Sequence, residues 1–248
     1  MESLIREMQS RKKTGLVYSP NHVKHAYYPD IEAAKMHVEH PGRASDVLQH
    51  LEQVGIKDRC DFVTDFGQVD MDLVGRVHDQ KYVEYLNKLW PETSNKVHML
   101  RDDTYYNKHS VMAARYAAQG TIEAVEGVIS GKWENSFALV RPPGHHAGVE
   151  GKVEGFCLIN NVVVAARYLQ EVHGLKKIAI LDWDVHHGDS TQKLTYDDPS
   201  ILFISIHKYC HSNFYPHKTD ANYDLIGKDK GLGFNLNFPL NPEKNEVL

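Results

Sequence analysis

The chain has 248 residues, 42% hydrophobic and 25% charged, with a formal net charge of -5. That length and balance support one substantial core and argue against intrinsic disorder, while the mildly acidic charge and the lack of a dense Lys/Arg block argue against a nucleic-acid footprint and suit a cationic peptide substrate. Cys60, Cys157 and Cys210 are odd in number and form no C-x-x-C, so neither a disulfide framework nor a thiolate zinc cage is expected, and a reducing compartment fits best.

From the N-terminus, MESLIREMQSRKK scatters its charges and has no apolar signal-peptide core, and no stretch reaches the ~20 apolar residues that span a bilayer. A soluble intracellular protein without membrane contact is the expectation. Strand-like runs follow at TGLVY (14–18), more weakly at DFVTDF (61–66), then at FALV (137–140), IAILDWD (178–184), ILFISI (201–206) and FNLNF (234–238). Between them lie helical patterns. Val111, Ala114, Ala118, Ile122, Val125 and Ile129 recur at spacings of three and four behind Ser110, a plausible N-terminal cap, and a second helix runs from Asn160 to about Val172. Strands separated by helices pair in parallel through right-handed crossovers, so the spacing predicts an α/β fold: a three-layer α/β/α domain with a mostly parallel central sheet. No repeat, low-complexity segment or Pro/Gly/Ser-rich linker divides it, and one domain over residues 1–248 is the reading.

The polar residues collect at strand ends. KIAILDWD (177–184) is a nearly continuous apolar run, as expected of a parallel strand buried on both faces, and its carboxylates fall at its C-terminal end, where open α/β sheets place their ligands. FALV is followed by the Pro142-Pro143-Gly144 break, which puts His145 and His146 on a loop. With 16 histidines in the chain, chance alone supplies about one adjacent pair and only two occur, so context and not pairing carries the reading. Asp184 and His186 offer a carboxylate and an imidazole two residues apart, suited to zinc. Amide hydrolysis needs a polarised carbonyl, an activated water and a proton for the leaving amine, and one open zinc beside acid/base groups supplies all three. The blander alternatives are a polar loop for His186, a helix cap for Asp184 or Asp189, and a buried strand residue for Asp182.

RPPGHHA (141–147), GFCLINNVVVAA (155–166), LDWDVHHGDST (181–191) and ISIHKY (204–209), in that order, resemble the zinc-dependent histone deacetylases of the arginase/deacetylase superfamily. The likeness runs from HPGR (40–43) to the end of the chain, and DDTYYN (102–107) and the HKY variant look more like its class II branch. The resemblance implies chromatin-linked hydrolysis of acetyl-lysine in histones or other proteins. By it, Asp184 and His186 are zinc ligands, His146 is the general base with His145 as its neighbour, and Asp189 and Asp182 are their respective carboxylate partners. It further implies a structural potassium held by Asp182, the carbonyls of Asp184, His186 and Ile206, and the Ser205 hydroxyl. Phe156 resembles one wall of an acyl-lysine tunnel, Tyr215 the facing one, and either Asp102 or Asp103 the acceptor for the substrate backbone. As an acidic pair before a helix, Asp102 and Asp103 equally suit its N-terminal charge.

Binuclear manganese ureohydrolases share the architecture but need a carboxylate two residues after the ligating histidine; Gly188 stands there, so a mononuclear zinc is preferred. The family also draws a third zinc ligand, an aspartate, and a tyrosine from segments downstream of those present here. A catalytic domain cut before both, and hence a fold incomplete at its C-terminus, is therefore expected, its last strands would lie between FALV and IAILDWD, and the two halves of the site would lack a common wall. A piece of a longer active deacetylase, an incomplete gene model and a shortened, non-catalytic interaction protein all remain open, as does a small-amide deacetylase. Of these the first two are favoured, with this exact polypeptide inactive or poorly folded. Nuclear or cytoplasmic residence stays open, and corepressor partners follow by analogy alone.

Overall fold

In a computed structural model the described residues are 14–27, 37–89, 96–101, 103–148 and 153–241. In chain order they form β1 (Thr14–Tyr18), α1 (Gly42–Gln53), β2 (Cys60–Val63), α2 (Met71–Val74), α3 (Gln80–Leu89), β3 (His98–Arg101) and β4 (Thr104–Tyr106). Then come α4 (Ser110–Ile129), β5 (Ser136–Leu139), α5 (Asn161–His173), β6 (Ile178–Asp182), α6 (Asp189–Thr195), β7 (Ile201–Lys208) and β8 (Asn235–Leu240). No described helix is long and apolar enough to cross a membrane, and no disulfide links the three cysteines.

The chain divides into two compact units. The first holds a parallel sheet in the order β2-β1-β5, with Leu16 opposite Phe62 on one side and Phe137 on the other. Alternation along β1 sends Leu16 and Tyr18 to one face, where they pack with Ala44, Leu48 and Leu51 of α1, and Val17 to the other, where it meets Ala124 of α4 and Trp133. This is a helix–sheet–helix sandwich. The expected stripe on α4 is buried at Val111, Ala114, Ala118 and Ile122, but Ile129 is exposed where the helix runs past the sheet. Ser110 is not the cap. His109 holds that position, and the Ser110 hydroxyl instead accepts the Asn107 N–H at 2.8 Å and lies 2.7 Å from His25 Nδ1.

A buried ion pair anchors the same unit. Arg141 bonds both oxygens of Glu39, through Nε at 2.8 Å and through one terminal nitrogen, which also reaches the Tyr105 hydroxyl at 3.1 Å. Its other terminal nitrogen donates to the carbonyls of His22 and His25, each at 2.7 Å. Every guanidinium N–H is thereby used, as burial of a charge requires. Burial alone would raise the Glu39 carboxyl, but hydrogen bonds from His25 and Arg141 hold it well below the usual range.

The second unit carries a parallel sheet in the order β6-β7-β8, in which Asp182 faces Ser205 and Ser205 faces Asn237. One face is buried, with Ile201, Phe203, Ser205, His207, Asn235 and Asn237 inside. Gln192 of α6 lies on it and takes N–H groups from Asn235 and Asn237 at 3.0 and 2.8 Å. The opposite face is open: Leu181 is 52% exposed, Trp183 80% and Phe238 52%. Burial of β6 on both faces, expected from its unbroken apolar run, is therefore not found. An apolar run states what a strand can bury, whereas the neighbours decide what it does bury. α5 starts at an Asn160 cap that accepts the Val163 N–H and ends at Gly174, whose left-handed φ of 66° stops the helix.

Candidate active site

All the chemistry gathers in the second unit, at the C-terminal end of β6. The loop of His145 and His146 is fastened to the start of α6, because the His145 carbonyl accepts the N–H groups of Ser190 and Thr191 at 3.2 and 3.3 Å. Those are first-turn donors with no partner inside the helix. The two halves of the site thus do share a wall, contrary to the expectation from sheet order, and the start of α6 makes it.

On that wall stand two histidine–carboxylate pairs. His145 Nδ1 lies 2.8 Å from Asp182 Oδ2, His146 Nδ1 lies 2.7 Å from Asp189 Oδ1, and the two rings are 4.0 Å apart. An ionised carboxylate only accepts, so each Nδ1 carries a proton. Among the described residues His146 Nε2 is buried without a hydrogen-bond partner; His145 Nε2 is 3.9 Å from Asp184 Oδ1. The pairs are not equivalent. Burial depresses His146, its Asp189 bond opposes this, and the nearby His145 and His186 depress it further, for a net fall. Burial depresses His145 too, but the bond to Asp182 and the charges of Asp182, Asp184 and Asp189 outweigh it, for a net rise. One ring is thus kept ready to take a proton and its neighbour to hold one.

Asp184 Oδ1 and His186 Nδ1 converge 3.0 Å apart, and the same oxygen accepts the His186 backbone N–H at 2.8 Å. Burial would raise the Asp184 carboxyl, yet its bonds to His186 and the His145 ring charge keep it ionised far below the ordinary range. An anionic oxygen and an imidazole nitrogen meeting at one point are two donors of the type zinc takes. Among the described residues no group of three or more His, Cys, Asp or Glu is placed to hold a metal, so the pair fits zinc in kind and supplies two of the usual three protein ligands.

Gly188 explains itself here: a Cβ on it would stand 2.2 Å from Asp182 Oδ2, the oxygen that His145 uses. A carboxylate at 188, as a second metal would require, would displace that oxygen. Gly155 has φ 55°, and a Cβ there would meet His146 Cδ2 at 2.3 Å. Both glycines let backbone approach the paired histidines and their carboxylate, a role the motifs alone do not reveal.

Tyr215 does reach the site, its ring edge-on to His146 at 5.0 Å and to His186 at 5.4 Å. Phe214, which sequence reading passed over, stacks on His186 at 5.2 Å. Asp103 lines a cavity of about 350 Å³ with Glu154, Gly155, Tyr215, His217 and Lys218; Asp102 lies outside the described residues. Phe156 is not among the residues lining it. Its backbone is left-handed at φ 70° and its N–H donates to the Thr104 hydroxyl at 3.0 Å. Ser205 is buried beside Asp182, with its hydroxyl 2.9 Å from His207 Nδ1, while the Ile206 side chain turns to the open face. Lys218 bonds Asp189 Oδ2, a contact across 29 positions that no local pattern signals.

Residues 37–247 match the family model described as the histone deacetylase domain. The chain is 36% identical over 225 residues to the polyamine deacetylase HDAC10 of Rattus norvegicus, covering 87% of this chain and 38% of that protein. It is 37% identical over 238 residues to histone deacetylase 18 of Arabidopsis thaliana (93% and 34%), and 34% identical over 242 residues to histone deacetylase clr3 of Schizosaccharomyces pombe (93% and 35%). The crystal structure of the HDA15 HD domain superposes with a TM-score of 0.83 at 33% identity, covering 93% of this chain and 63% of that one. The chain spans roughly a third of the length of these curated relatives.

Proposed function

Because this chain belongs to the histone deacetylase family and has its arginase/deacetylase-like α/β fold, we propose that it serves zinc-dependent hydrolysis of the acetyl-lysine amide in histones or other proteins. The observation that carries the reading is the buried His146–Asp189 pair, whose Nε2 has no hydrogen-bond partner among the described residues and lies next to His186 and Tyr215.

Asp184 and His186 would hold the zinc, which when bound supplies the Lewis acidity that polarises the amide carbonyl and lowers the pKa of water. His146, neutral and tied at Nδ1, accepts a proton at Nε2. His145, the ring favoured as imidazolium, holds positive charge beside it and can supply a proton to the departing amine. Asp182 and Asp189 fix the tautomers and orientation of the rings. Tyr215 forms an aromatic wall for the lysine stem and Asp103 accepts from the substrate backbone at the mouth; Phe156 as the facing wall rests on family likeness alone, since it does not line this cavity. A structural potassium at Asp182, Ser205 and the carbonyls of Asp184, His186 and Ile206 belongs to the same reading and rests on family likeness.

A small acetylated amine is a second reading, favoured by Asp103 lining the cavity, whose charge suits a substrate carrying a further ammonium, Glu154 there being paired with Lys218. The test is acetate release from an acetyl-lysine peptide and from an acetylated diamine by the purified chain, with zinc content measured alongside. His146→Ala is expected to lower turnover by about 10²–10⁴-fold with zinc retained. No bound zinc and no His146-dependent turnover would leave an interaction protein in place of the enzyme.

A further inference from the structure

Each histidine uses one oxygen of its aspartate, but the other oxygens are treated differently. Asp182 Oδ1 accepts the Asp184 backbone N–H at 3.1 Å. Asp189 Oδ2 instead meets the Lys218 ammonium, which also stands 3.6 Å from Glu154 Oε2. Asp189 is 1% exposed and Lys218 30%, so the contact is shielded from water on the carboxylate's side. Lys218 also closes the segment that sets Phe214 and Tyr215 against His186 and His146. Within that segment Cys210, His211, Ser212 and His217 all hold positive φ. Non-glycine residues in this region cost on the order of 1–3 kcal/mol each, and persist only where surrounding contacts hold them.

We propose that Lys218 is a positioning residue for deacetylation: its ammonium locks the Asp189 carboxylate in the orientation His146 needs and, by the same contact, fastens the aromatic segment beside it. The proposal rests on the deacetylase reading above. A carboxylate with both oxygens engaged cannot swing about its Cβ–Cγ bond, and charge-assisted hydrogen bonds are about twice as strong as neutral ones. The Asp189 bond is the one hydrogen bond His146 makes among the described residues, so any swing of the carboxylate passes directly to the ring. Lys218 acts on the His146 ring through Asp189, although its side chain also lines the cavity, so the test must separate positioning from substrate binding.

The test compares Lys218→Met, Lys218→Arg and His146→Ala in the whole chain. Two readouts are taken: kcat and KM on an acetyl-lysine peptide, and the NMR signal of the hydrogen-bonded His146 Nδ1–H in ¹⁵N-histidine-labelled protein, assigned by its loss in His146→Ala. Lys218→Met is expected to lower kcat by about 10–100-fold with KM within about twofold, as for other residues that orient a site, and to shift or broaden the Nδ1–H signal. Lys218→Arg is expected to restore both. Should the Met variant fail to fold by circular dichroism, Lys218→Gln takes its place with the same expectations. A folded, uncharged variant with wild-type kcat and an unchanged Nδ1–H signal overturns the proposal, as does a raised KM at unchanged kcat, which would make Lys218 a binding residue. If His146→Ala retains full turnover, the deacetylase reading fails, and the Nδ1–H signal alone then decides the role of Lys218.

Discussion

Glu39→Gln removes one charge from the most enclosed ion pair of the first unit while keeping shape and volume. Glu39 and Arg141 have side chains 0% and 3% exposed, and the guanidinium has no route to water once its counterion is gone. The Gln amide accepts with one arm only, so one of the two Arg141–Glu39 contacts becomes N–H against N–H. Breaking a buried pair from one side costs about 3–5 kcal/mol, a large share of the ~5–15 kcal/mol that holds a domain together. With m of about 2–3 kcal/mol/M, a loss of ~4 kcal/mol lowers the urea midpoint by roughly 1.3–2 M. Trp133, 4% exposed and packed between β1 and α4, reports this unit by fluorescence when Trp90 and Trp183 are replaced by Phe. Arg141→Met should cost at least as much, since it also strips the donors from the His22 and His25 carbonyls. The double variant should fall short of the sum by about 2–3 kcal/mol, because the second substitution removes the orphan left by the first. A Glu39→Gln cost below ~1 kcal/mol, the level of an exposed pair, or strict additivity would refute the reasoning.

Gly188→Ala should lower kcat by about 10–100-fold in a chain that still folds, because its Cβ displaces the Asp182 oxygen bound by His145; steady-state kinetics at wild-type rate would contradict this. Gly127→Ala places a methyl 2.0 Å from the Trp133 indole and should cost about 1–3 kcal/mol in urea titration with no effect on turnover per folded molecule. Stability should fall as pH drops below 6.5. His22, through burial and then the Arg141 charge, is lowered to about 3, and His78, chiefly through burial, to about 4. Both are neutral in the fold and take up protons on unfolding, so each contributes a loss of up to about 1.4 kcal/mol per pH unit from 6.5 down to its folded value. Urea midpoints flat between pH 7 and 5 would count against this assignment.

The parts legible in the sequence were those written locally. β1, β5, β6, β7 and β8 announce themselves as short apolar runs, and Asp184 with His186, or His145 with His146, need only their own motif and a strand end before it. Pairings over long separations carry no such signal: nothing near Lys218 points to Asp189, and nothing near Glu39 points to Arg141, 102 positions away. The motifs give no packing role to Gly155 or Gly188; it emerges only when the atoms that would meet a side chain are in place. The Ser110 cap failed because its hydroxyl had a better use, against Asn107 and His25.

The uncovered side of β6-β7-β8 lines up Leu181, Ile204 and Leu236 in one row across the three strands, with Ile206 and Phe238 paired in the next and Trp183 following Asp182 on β6. Trp183 immediately precedes Asp184, so whatever settles on that wall, whether detergent or another polypeptide, presses on the strand end that carries Asp184 and His186. Its indole emission will turn bluer when the wall is wetted by something other than water. The molecule therefore carries its own optical gauge of how dry the ground beneath its chemistry is.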